Sequence, residues 1–478
     1  MTALLQHLHA LLGDVGLISR TEDMAPYLDE QRGLYPGAAA AVALPATTEQ
    51  VQAVVCACTE AGTTIVPQGG NTGLCGGATA SPGQVIVNLR RLQRIRGIDP
   101  ANNTMTVEAG CILSDLQQAA LAANRYFPLS LGAEGSCQIG GNLATNAGGV
   151  NVLRYGNARD QVLGLEAVLA DGRIYSSLTG LRKDNTGYDL NNLLVGSEGT
   201  LGIITAAALK LQPRPDQSET ALVGLRDLDA SLELLDRAQR MSSGLLSSFE
   251  LIPRIGLEFA CRHVAGCADP LAAAYDWYVL LVFSGSGAEL DLRAMLERTL
   301  GQALEDGVAR DATVAASETQ AKSLWRIREG LVEGQEFEGG SIKHDISVTV
   351  SRVPELIRRA TAGVTARLPG IRPCPFGHVG DGNIHFNLSQ PEGADSAEFL
   401  TLWGEFNQIV FDIVQDLGGS FSAEHGIGQL KLAQMSHYKN SVDLDLMRAI
   451  KDALDPAGVF NPGKVLPLSP PVKPVVDA

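Results

Sequence analysis

The chain has 478 residues, too many for one hydrophobic core, so we expect two or three domains. Its composition, with 45% hydrophobic and 19% charged residues, is that of a globular rather than a disordered protein. The formal net charge of −16 argues against nucleic acid or an anionic membrane as the main partner, but is compatible with a local basic pocket for an acidic substrate.

The N-terminal stretch MTALLQHLHALLGDVG has the pattern of an amphipathic helix and contains no basic residue before Arg20. We therefore expect neither a secretory signal nor an Arg-rich transit peptide. No run approaches the roughly 18 apolar residues that a transmembrane span needs. The eight cysteines form no CxxC or ferredoxin-type spacing, which favours unpaired thiols in a reducing cytoplasm and argues against an iron–sulfur cluster.

A strand–helix–strand unit is predicted from Ala38 onward. AAVALP has the pattern of a short strand, and TTEQVQAVVCACTEAG that of a helix, which Thr47 and Gln50 can open with a capping box and Gly62 can close. TTIVPQ is the next strand, and the loop GGNTGLCGG at 69–77 follows it directly. The loop lacks the GxGxxG spacing and the helix of a Rossmann motif, which counts against a nicotinamide enzyme. Successive glycines can still direct several backbone N–H groups at one anion, although a flexible turn is the alternative for this loop alone.

Two more glycine-rich segments follow within the same part of the chain. They are LGAEGSCQIGGNLATNAGGVNVLRYG (131–156) and DNTGYDLNNLLVGSEGTLGIITAAALKL (184–211), and a strand–DG–strand hairpin, VLGLEAVLADGRIY, separates them. Three such segments imply that the backbone packs closely along a large, flat, phosphorylated ligand, and a flavin dinucleotide fits that description. A domain boundary is predicted near LKLQPRPDQSET, where two prolines follow an apolar strand.

The stretch PFGHVGDGNIHFNL (375–388) contains two histidines on either side of a turn. Asp381-Gly382 predicts a two-residue hairpin. In that register His378 lies directly opposite His385, with Cβ atoms roughly 5 Å apart, close enough to share a metal ion. Alternation along the strand places Asn387 on the same face. The other face takes Ile384, Phe386 and Leu388. For the pair alone, two surface histidines in a hairpin is an equally good interpretation.

About 40 residues later, FSAEHGIGQLK (421–431) offers the adjacent residues Glu424 and His425. Two histidines and one carboxylate with an open position are typical of a zinc site, and the same set would suit manganese or iron. His425 has the near-neutral pKa of a general base, although it could instead support Glu424.

Four motifs carry a resemblance to a known family. PQGGNTGL, GGNLATNAGG, RKDNTGYDL and GSEGTLGIIT resemble the flavin-binding half of the vanillyl-alcohol oxidase/p-cresol methylhydroxylase (PCMH) superfamily. From about Val42 to Leu466 the chain is similar to the FAD-linked D-2-hydroxyacid dehydrogenase branch, and within it to the D-2-hydroxyglutarate dehydrogenases. The resemblance implies an α+β fold with two lobes: a PCMH-type FAD-binding domain (1–215), an α+β substrate-capping domain with the metal site (216–429), and a C-terminal segment (430–478) that returns to the FAD domain.

The resemblance also implies FAD that is bound non-covalently, because the 69–77 loop has Asn71 where members with covalent flavin usually carry a histidine. The implied flavin contacts are Pro67, Gly69, Gly70, Asn71, Thr72, Gly73, Leu74, Gly132, Gly135, Ser136, Gly140, Gly141, Asn142, Thr145, Ala147, Gly148, Gly199, Ile203 and Asn461.

In the resembled family the positions of His378, His385 and Glu424 hold one divalent metal, for which zinc is our first expectation and manganese, iron or cobalt are alternatives. His425 matches the proposed catalytic base. The implied reaction is the FAD- and metal-dependent oxidation of a D-2-hydroxyacid, with D-2-hydroxyglutarate to 2-oxoglutarate as the best candidate. A hydride would move to flavin N5 while His425 accepts the hydroxyl proton.

Four positions are implied to contact the substrate. Arg328 and Lys343 match cations that bind carboxylates, and Asn387 matches a further substrate contact. Val332 stands where hydroxyglutarate enzymes prefer threonine, which removes a possible hydroxyl contact to the distal carboxylate.

Several alternatives stay open. D-malate and D-lactate are the other candidate substrates, and a metal-dependent hydrolase or a non-catalytic subunit of a larger flavoenzyme are hypotheses of other classes. The resemblance further suggests an external electron acceptor, either electron-transfer flavoprotein or a quinone, and a possible homodimer.

Overall fold

The computed structural model describes residues 1–287 and 289–468. Two sheets form the first lobe. The first has four strands in the order β1-β2-β4-β3, with β2, β4 and β3 parallel, and the second has five antiparallel strands in the order β5-β6-β10-β8-β9. The strands of the lobe, with the short ribbon β7–β11, are Leu17–Ile18 (β1), Ala41–Ala43 (β2), Ile65–Gln68 (β3), Val85–Asn88 (β4), Ile95–Asp99 (β5), Thr104–Glu108 (β6), Arg125–Tyr126 (β7), Val162–Val168 (β8), Ile174–Ser176 (β9), Ile203–Lys210 (β10) and Gln212–Pro213 (β11).

Short helices pack around these sheets. They are Thr2–Leu12 (α1), Thr21–Leu28 (α2), Thr48–Glu60 (α3), Leu113–Ala122 (α4), Ile139–Ala144 (α5), Val152–Tyr155 (α6) and Leu190–Leu194 (α7). The amphipathic N-terminal helix is confirmed, because Leu4, Leu8 and Leu12 are buried on one face of α1. In the described ranges, none of the helices has the length and apolar character of a membrane span.

The cap at the start of α3 differs in one bond from the predicted capping box. The Thr47 side chain accepts from the Gln50 N–H at 3.2 Å, as expected. The Gln50 side chain instead accepts from the N–H of Ala46, at 2.7 Å. Gly62 ends the helix with φ of 61°, which an L-residue adopts only with strain.

The second lobe is built on an eight-stranded antiparallel sheet in the order β15-β12-β14-β13-β18-β19-β16, with β17 also paired to β19. Its strands are Gln217–Leu225 (β12), Leu246–Pro253 (β13), Trp277–Gly285 (β14), Ala309–Val314 (β15), Ser341–Ile342 (β16), Asp345–Ser347 (β17), Arg372–His378 (β18) and Asn383–Ser389 (β19). Its helices are Ala230–Ser242 (α8), Arg254–His263 (α9), Leu292–Glu305 (α10), Glu318–Glu336 (α11), Val353–Arg367 (α12), Ser396–Thr401 (α13) and Trp403–Asp416 (α14).

Both faces of this sheet are buried. On β14, Val279 and Leu281 join the core beneath α8, α10, α12 and α14, whereas Tyr278 and Leu280 join a second core beneath α9 and α11. This alternation follows from the period of two along a strand. Because both faces are buried, the inner strands have nearly continuous apolar sequences, in which a charged residue is exceptional.

The C-terminal part contains Leu432–Tyr438 (α15) and Ser441–Leu454 (α16) and then contacts the first lobe. Val459 and Phe460 belong to the core of that lobe, and Phe460 pairs with Ile65 in a parallel bridge. The last ten residues of the predicted segment 430–478 lie outside the described residues.

Candidate active site

The hairpin of β18 and β19 has a different register from the predicted one. Phe376, not His378, lies opposite His385, because residues 379–382 all form the turn, with Gly382 at φ of 84°. The predicted pairing of His378 with His385 is therefore wrong by two residues. A shift of two preserves the alternation of faces, and the two imidazole centroids still lie 5.5 Å apart.

Each histidine instead has a carboxylate as its cross-strand neighbour. Glu250 on β13 lies opposite His378, and Asp345 on β17 lies opposite His385. Asn387 follows His385 on the same face of β19, as predicted, and lies opposite Cys374. The other face of β19 is buried in the cap core, again as predicted, with Ile384, Phe386 and Leu388.

His378, His385 and Glu424 come together at the end of the sheet. The His378 Nε2 atom lies 3.8 Å from one carboxylate oxygen of Glu424, and the His385 Nε2 atom lies 3.9 Å from the other. These separations exceed a hydrogen bond, but ligand atoms bound at about 2.0–2.2 Å to one ion lie roughly 3–4 Å apart. The three predicted ligands thus have a geometry that fits one divalent metal.

Glu250 orients two of the predicted site residues. One of its carboxylate oxygens lies 2.6 Å from His378 Nδ1, and the other accepts from Arg328 Nε at 2.8 Å. Burial opposes the charged form of Glu250, but His378 and Arg328 outweigh it and lower its pKa to about 2. A carboxylate that fixes one ring nitrogen of a histidine leaves the other nitrogen directed at the metal position.

Arg328 is buried on α11 and lies over the Phe376 ring, with 4.8 Å between the guanidinium carbon and the ring centroid. Its two terminal nitrogens have no hydrogen-bond partner in the described part of the chain, so they are free to bind a carboxylate. Val332 follows one helical turn later and is 38% exposed. The Asn387 amide donates to Gln335 of the same helix at 2.8 Å, which fixes its orientation.

Asp345 connects the two segments that carry the site. It accepts from the main-chain N–H groups of Glu424 and His425 at 2.9 and 2.8 Å, and from the Asn383 side chain at 3.0 Å. Its carboxylate also lies 3.7 Å from His425 Nδ1 and 4.0 Å from His385 Nδ1. Burial opposes the charged form of Asp345, but the imidazoles, a nearby lysine and the N–H donors hold its pKa well below the usual value.

His425 is therefore held by its own backbone and by the carboxylate beside its ring. Burial keeps the pKa of His425 below its usual value, with Asp345 acting in the opposite direction. A neutral imidazole whose Nδ1–H points toward Asp345 has Nε2 available as a proton acceptor. Its ring lies parallel to that of His385, with centroids 5.9 Å apart.

Sequence reasoning missed both Glu250 and Asp345. Each is almost fully buried: Glu250 lies in the apolar strand SSFELIP, and Asp345 lies in SIKHDISV beside Lys343 and His344. A single charged residue in an apolar strand is a signal that could have identified Glu250, because an unpaired buried charge is costly. The segment around Asp345 carries no such signal.

The predicted flavin contacts lie on three loops of the first lobe that touch one another. Gly70 packs so closely on the Ser136 carbonyl that a Cβ atom would collide with it, and Gly199 lies at φ of 70° against Pro67. The Asn461 side chain donates to the carbonyls of Gly77 and Glu198, at 2.9 and 2.8 Å. The structure thus brings the 69–77, 132–148 and 199–203 positions together with Asn461.

The backbone of the 69–77 loop fits an anion. The N–H groups of residues 70–74 donate to no other group among the described residues, although this loop is half-buried. Unpaired backbone donors in a tight turn are suited to phosphate oxygens. Asn71 has φ of 56° and its side chain donates to the Asp29 carbonyl, which fixes the turn.

The same three loops hold the segment 424–430, which we call the ligand loop. Gly149 N–H donates to Glu424 at 2.7 Å, and Glu198 accepts from the N–H groups of Ile427 and Gly428 at 2.7 and 2.8 Å. The Cys75 carbonyl accepts from the N–H groups of residues 429 and 430. The carboxylate ligand is thus positioned by the lobe that carries the flavin loops.

Comparison with known proteins identifies two family models in this chain. A family model described as FAD binding domain matches residues 39–177, and one described as FAD linked oxidases, C-terminal domain, matches residues 214–465. A probable mitochondrial D-2-hydroxyglutarate dehydrogenase of Oryza sativa subsp. indica is 37% identical over 463 residues, which cover 96% of this chain and 81% of that protein. A D-2-hydroxyglutarate dehydrogenase of Xanthomonas citri pv. viticola is 36% identical over 427 residues, 89% of each chain. The crystal structure of p-cresol methylhydroxylase superposes with a TM-score of 0.76 at 20% identity, covering 97% of this chain and 96% of that one, which establishes the PCMH-type fold.

Proposed function

Because the chain belongs to the FAD-linked oxidase family and, within it, to the group of the D-2-hydroxyglutarate dehydrogenases, we propose that it oxidises a D-2-hydroxyacid. D-2-hydroxyglutarate, which would yield 2-oxoglutarate, is the first candidate substrate, and D-malate and D-lactate follow. FAD is the cofactor of this family. The observation that supports the reaction most directly is the cluster of two histidines and a glutamate beside a carboxylate-held imidazole, at the boundary with the flavin loops.

A divalent metal at His378, His385 and Glu424 is part of the proposal, with zinc first and manganese, iron or cobalt as alternatives. When bound, the flavin supplies a hydride acceptor and the metal lowers the pKa of the substrate hydroxyl. Residues of the chain would carry out the proton transfer. His425 accepts the hydroxyl proton at Nε2, and Asp345 stabilises the imidazolium that results. The substrate thus loses one hydride and one proton.

Arg328 is proposed to bind the carboxylate next to the reacting carbon. Glu250 holds its Nε atom, so the forked end is fixed before the substrate arrives. Asn387 is proposed to accept a hydrogen bond at its amide oxygen or to order the pocket through Gln335. A metal-dependent hydrolase would leave the FAD-binding domain without a role, and no contact in the site favours it.

The electron acceptor, the assembly and the cellular location belong to the proposal as well. Electron-transfer flavoprotein is the first candidate acceptor and a quinone the second, and we propose a cytoplasmic protein that could form a homodimer.

A substrate panel tests the reaction. Purified protein is mixed with D- and L-forms of 2-hydroxyglutarate, malate and lactate and an artificial dye acceptor, with and without a chelator. We expect dye reduction with D-2-hydroxyglutarate, little with its L-form, and loss of the rate on chelation. If D-2-hydroxyglutarate and D-malate are inert while D-lactate is oxidised, the first substrate is wrong. If no hydroxyacid reduces the flavin, the proposed function is wrong.

A further inference from the structure

A cavity next to His425 is lined by two cationic side chains from different lobes. Arg32 comes from the segment after α2 of the first lobe, and Lys343 from the turn between β16 and β17 of the cap. Asp345 and Cys75 line the same cavity, and so does Lys431 of the segment after the ligand loop. The cavity therefore adjoins the proposed base, His425.

Arg32 and Lys343 have no protein partner within residues 1–287 and 289–468. Neither side chain donates a hydrogen bond there, and neither has a carboxylate oxygen within 4.0 Å. Lys431, in contrast, donates to the Phe421 carbonyl and to Ser422 at 3.1 and 2.9 Å. In a chain with 53 acidic and 37 basic side chains, two half-buried cations without a carboxylate partner are unusual. A bound anion would neutralise their charge.

The two cations also affect each other. Burial holds the pKa of Lys343 below its usual value, and the charge of Arg32 acts in the same direction while Glu336 acts against it. An anion between the two side chains would remove this repulsion. A carboxylate is suited to it because it can accept from the arginine fork and from the ammonium group together.

The lining of the cavity also contains hydrogen-bond acceptors. His344 Nδ1 lies 2.7 Å from the Phe386 carbonyl and donates to it, so Nε2 is a lone-pair acceptor; burial lowers the pKa of His344 to about 4, which keeps the ring neutral. The Asn407 side chain lies beside His344, and the Gln434 side-chain oxygen is buried without a hydrogen-bond partner in the described residues. Acceptors repel carboxylate oxygens and suit water, so the groups of this cavity that attract an anion are its cations.

We propose that Arg32 binds, together with Lys343, the distal carboxylate of a dicarboxylate 2-hydroxyacid, and that Arg32 thereby selects dicarboxylates over monocarboxylates. The inference rests on the proposed function and adds to it a specificity residue from the flavin lobe. Arg328 of the cap would hold the carboxylate next to the reacting carbon, and a pair of cations contributed by both lobes would hold the distal one. This arrangement differs from the expectation that the distal carboxylate lies at Val332, one helical turn from Arg328.

The test uses the FAD-loaded protein and the variant Arg32→Gln. Glutarate and butyrate, which cannot be oxidised, are titrated while the flavin absorbance is followed, so that binding is measured without turnover. Loss of a charge-assisted hydrogen bond should raise the Kd for glutarate about 10- to 100-fold and leave that for butyrate within about threefold. The kcat/KM for D-2-hydroxyglutarate should fall by the same factor, and that for D-lactate should stay within about threefold. Arg20→Gln, an exposed arginine beside Glu22, is the control and should change neither.

Three results would overturn the proposal: wild-type protein that binds glutarate no more tightly than butyrate, an equal loss for both ligands in Arg32→Gln, or a loss of FAD from that variant. Loss of FAD would show that Arg32 binds the cofactor and not the substrate. If Arg32→Gln does not fold, Arg32→Lys decides, since it keeps the charge and should retain the preference for glutarate with a Kd raised less than about tenfold. Wild-type protein that oxidises no hydroxyacid but binds glutarate through Arg32 would refute the reaction and leave the carboxylate site standing.

Discussion

Asp345 is bonded to the backbone at both Glu424 and His425, and its carboxylate faces the rings of two histidines. The change Asp345→Asn keeps the size and an acceptor oxygen but removes the charge. We expect kcat to fall at least about a hundredfold, because the imidazolium of His425 loses its counter-charge, while the flavin content stays the same. Steady-state kinetics and the flavin-to-protein absorbance ratio measure the two effects. Asp416→Asn, at an exposed ion pair with Arg359, is the control, and a kcat within threefold of wild type would contradict the role of Asp345.

His425→Ala should lose most of its turnover and keep its FAD. Among the described imidazoles, His385 also lies beside Asp345, but it is a proposed metal ligand and so cannot replace His425 as the base. Rapid mixing with D-2-hydroxyglutarate shows whether the flavin is still reduced. His437→Ala, on the exposed side of α15, should behave as wild type. Flavin reduction at a near-normal rate in His425→Ala would exclude His425 as the base.

Glu250→Gln should weaken metal binding about 10- to 100-fold, since the carboxylate that fixes His378 is lost. It should also raise the KM, because Arg328 loses the partner of its Nε atom. Metal content after dialysis against a weak chelator measures the first effect, and a melting temperature is needed beside it because breaking a buried ion pair is destabilising. The matched control is Glu219→Gln. Glu219 lies on β12 and forms an ion pair with Arg293 of α10. Unchanged metal retention in Glu250→Gln would show that His378 needs no support.

The spacing of the site residues along the chain determines which of them the sequence could reveal. His378, His385 and Asn387 occur within ten residues, and Glu424 adjoins His425, so local patterns suffice to select them. Glu250 and Asp345 act on residues that are 128 and about 80 positions away, respectively. Such contacts depend on which strands are neighbours, and no local pattern encodes them.

At the scale of elements, the ligand loop is under a tight backbone constraint. Gly428 has φ of 51° and its Cα faces the Cys75 carbonyl, so a Cβ atom would collide with main-chain oxygen. We expect Gly428→Ala to destabilise the protein by about 2 kcal/mol or more and to lower its metal retention, because both the conformation and the packing become unfavourable. Thermal unfolding and metal analysis provide the measurements.

Gly301→Ala is the control for that change. Gly301 lies within α10, and a Cβ atom there meets nothing within 4 Å. Alanine should raise stability by up to about 1 kcal/mol at such a position. If Gly428→Ala is as harmless as Gly301→Ala, the ligand loop adapts more easily than its contacts indicate.

The β18–β19 hairpin shows how far an element can be predicted. Alternation identified the faces of β19, because that rule depends only on the chain's own geometry. The register failed because the turn takes up four residues, and the pairing of β18 with β13 and of β19 with β17 competes with the Asp-Gly preference. The Asp-Gly signal is a local tendency, whereas the register is set by the whole sheet.

At the scale of the molecule, the proposed metal ligands come from the cap, but the flavin loops position one of them. Chelation should therefore remove turnover and leave the flavin spectrum, since the flavin loops keep their own contacts within the first lobe. Addition of zinc or manganese should restore the rate. Full activity with less than about 0.1 metal ion per chain would show that the histidine–glutamate cluster works without a cation.

The two-lobed architecture was predictable only through resemblance to a family with the same motifs, and the comparison with p-cresol methylhydroxylase confirms it. The order of the eight strands in the cap, with helices on both faces, could not be read from the residues. The inner strands β13 and β14 are largely apolar on both faces and would satisfy several neighbours equally well, so the order is decided by packing among all of the strands.

The bridge between Ile65 and Phe460 has a consequence for the timing of protein synthesis. β3 is an edge strand until Phe460 covers it, and about 400 residues separate the two positions. A ribosome needs roughly 20–80 s to make that length of chain, so the glycine loop after β3 emerges long before Asn461 can anchor its far end. The flavin lobe is thus finished last although it begins first, and we expect FAD to enter only after the cap has been translated and folded.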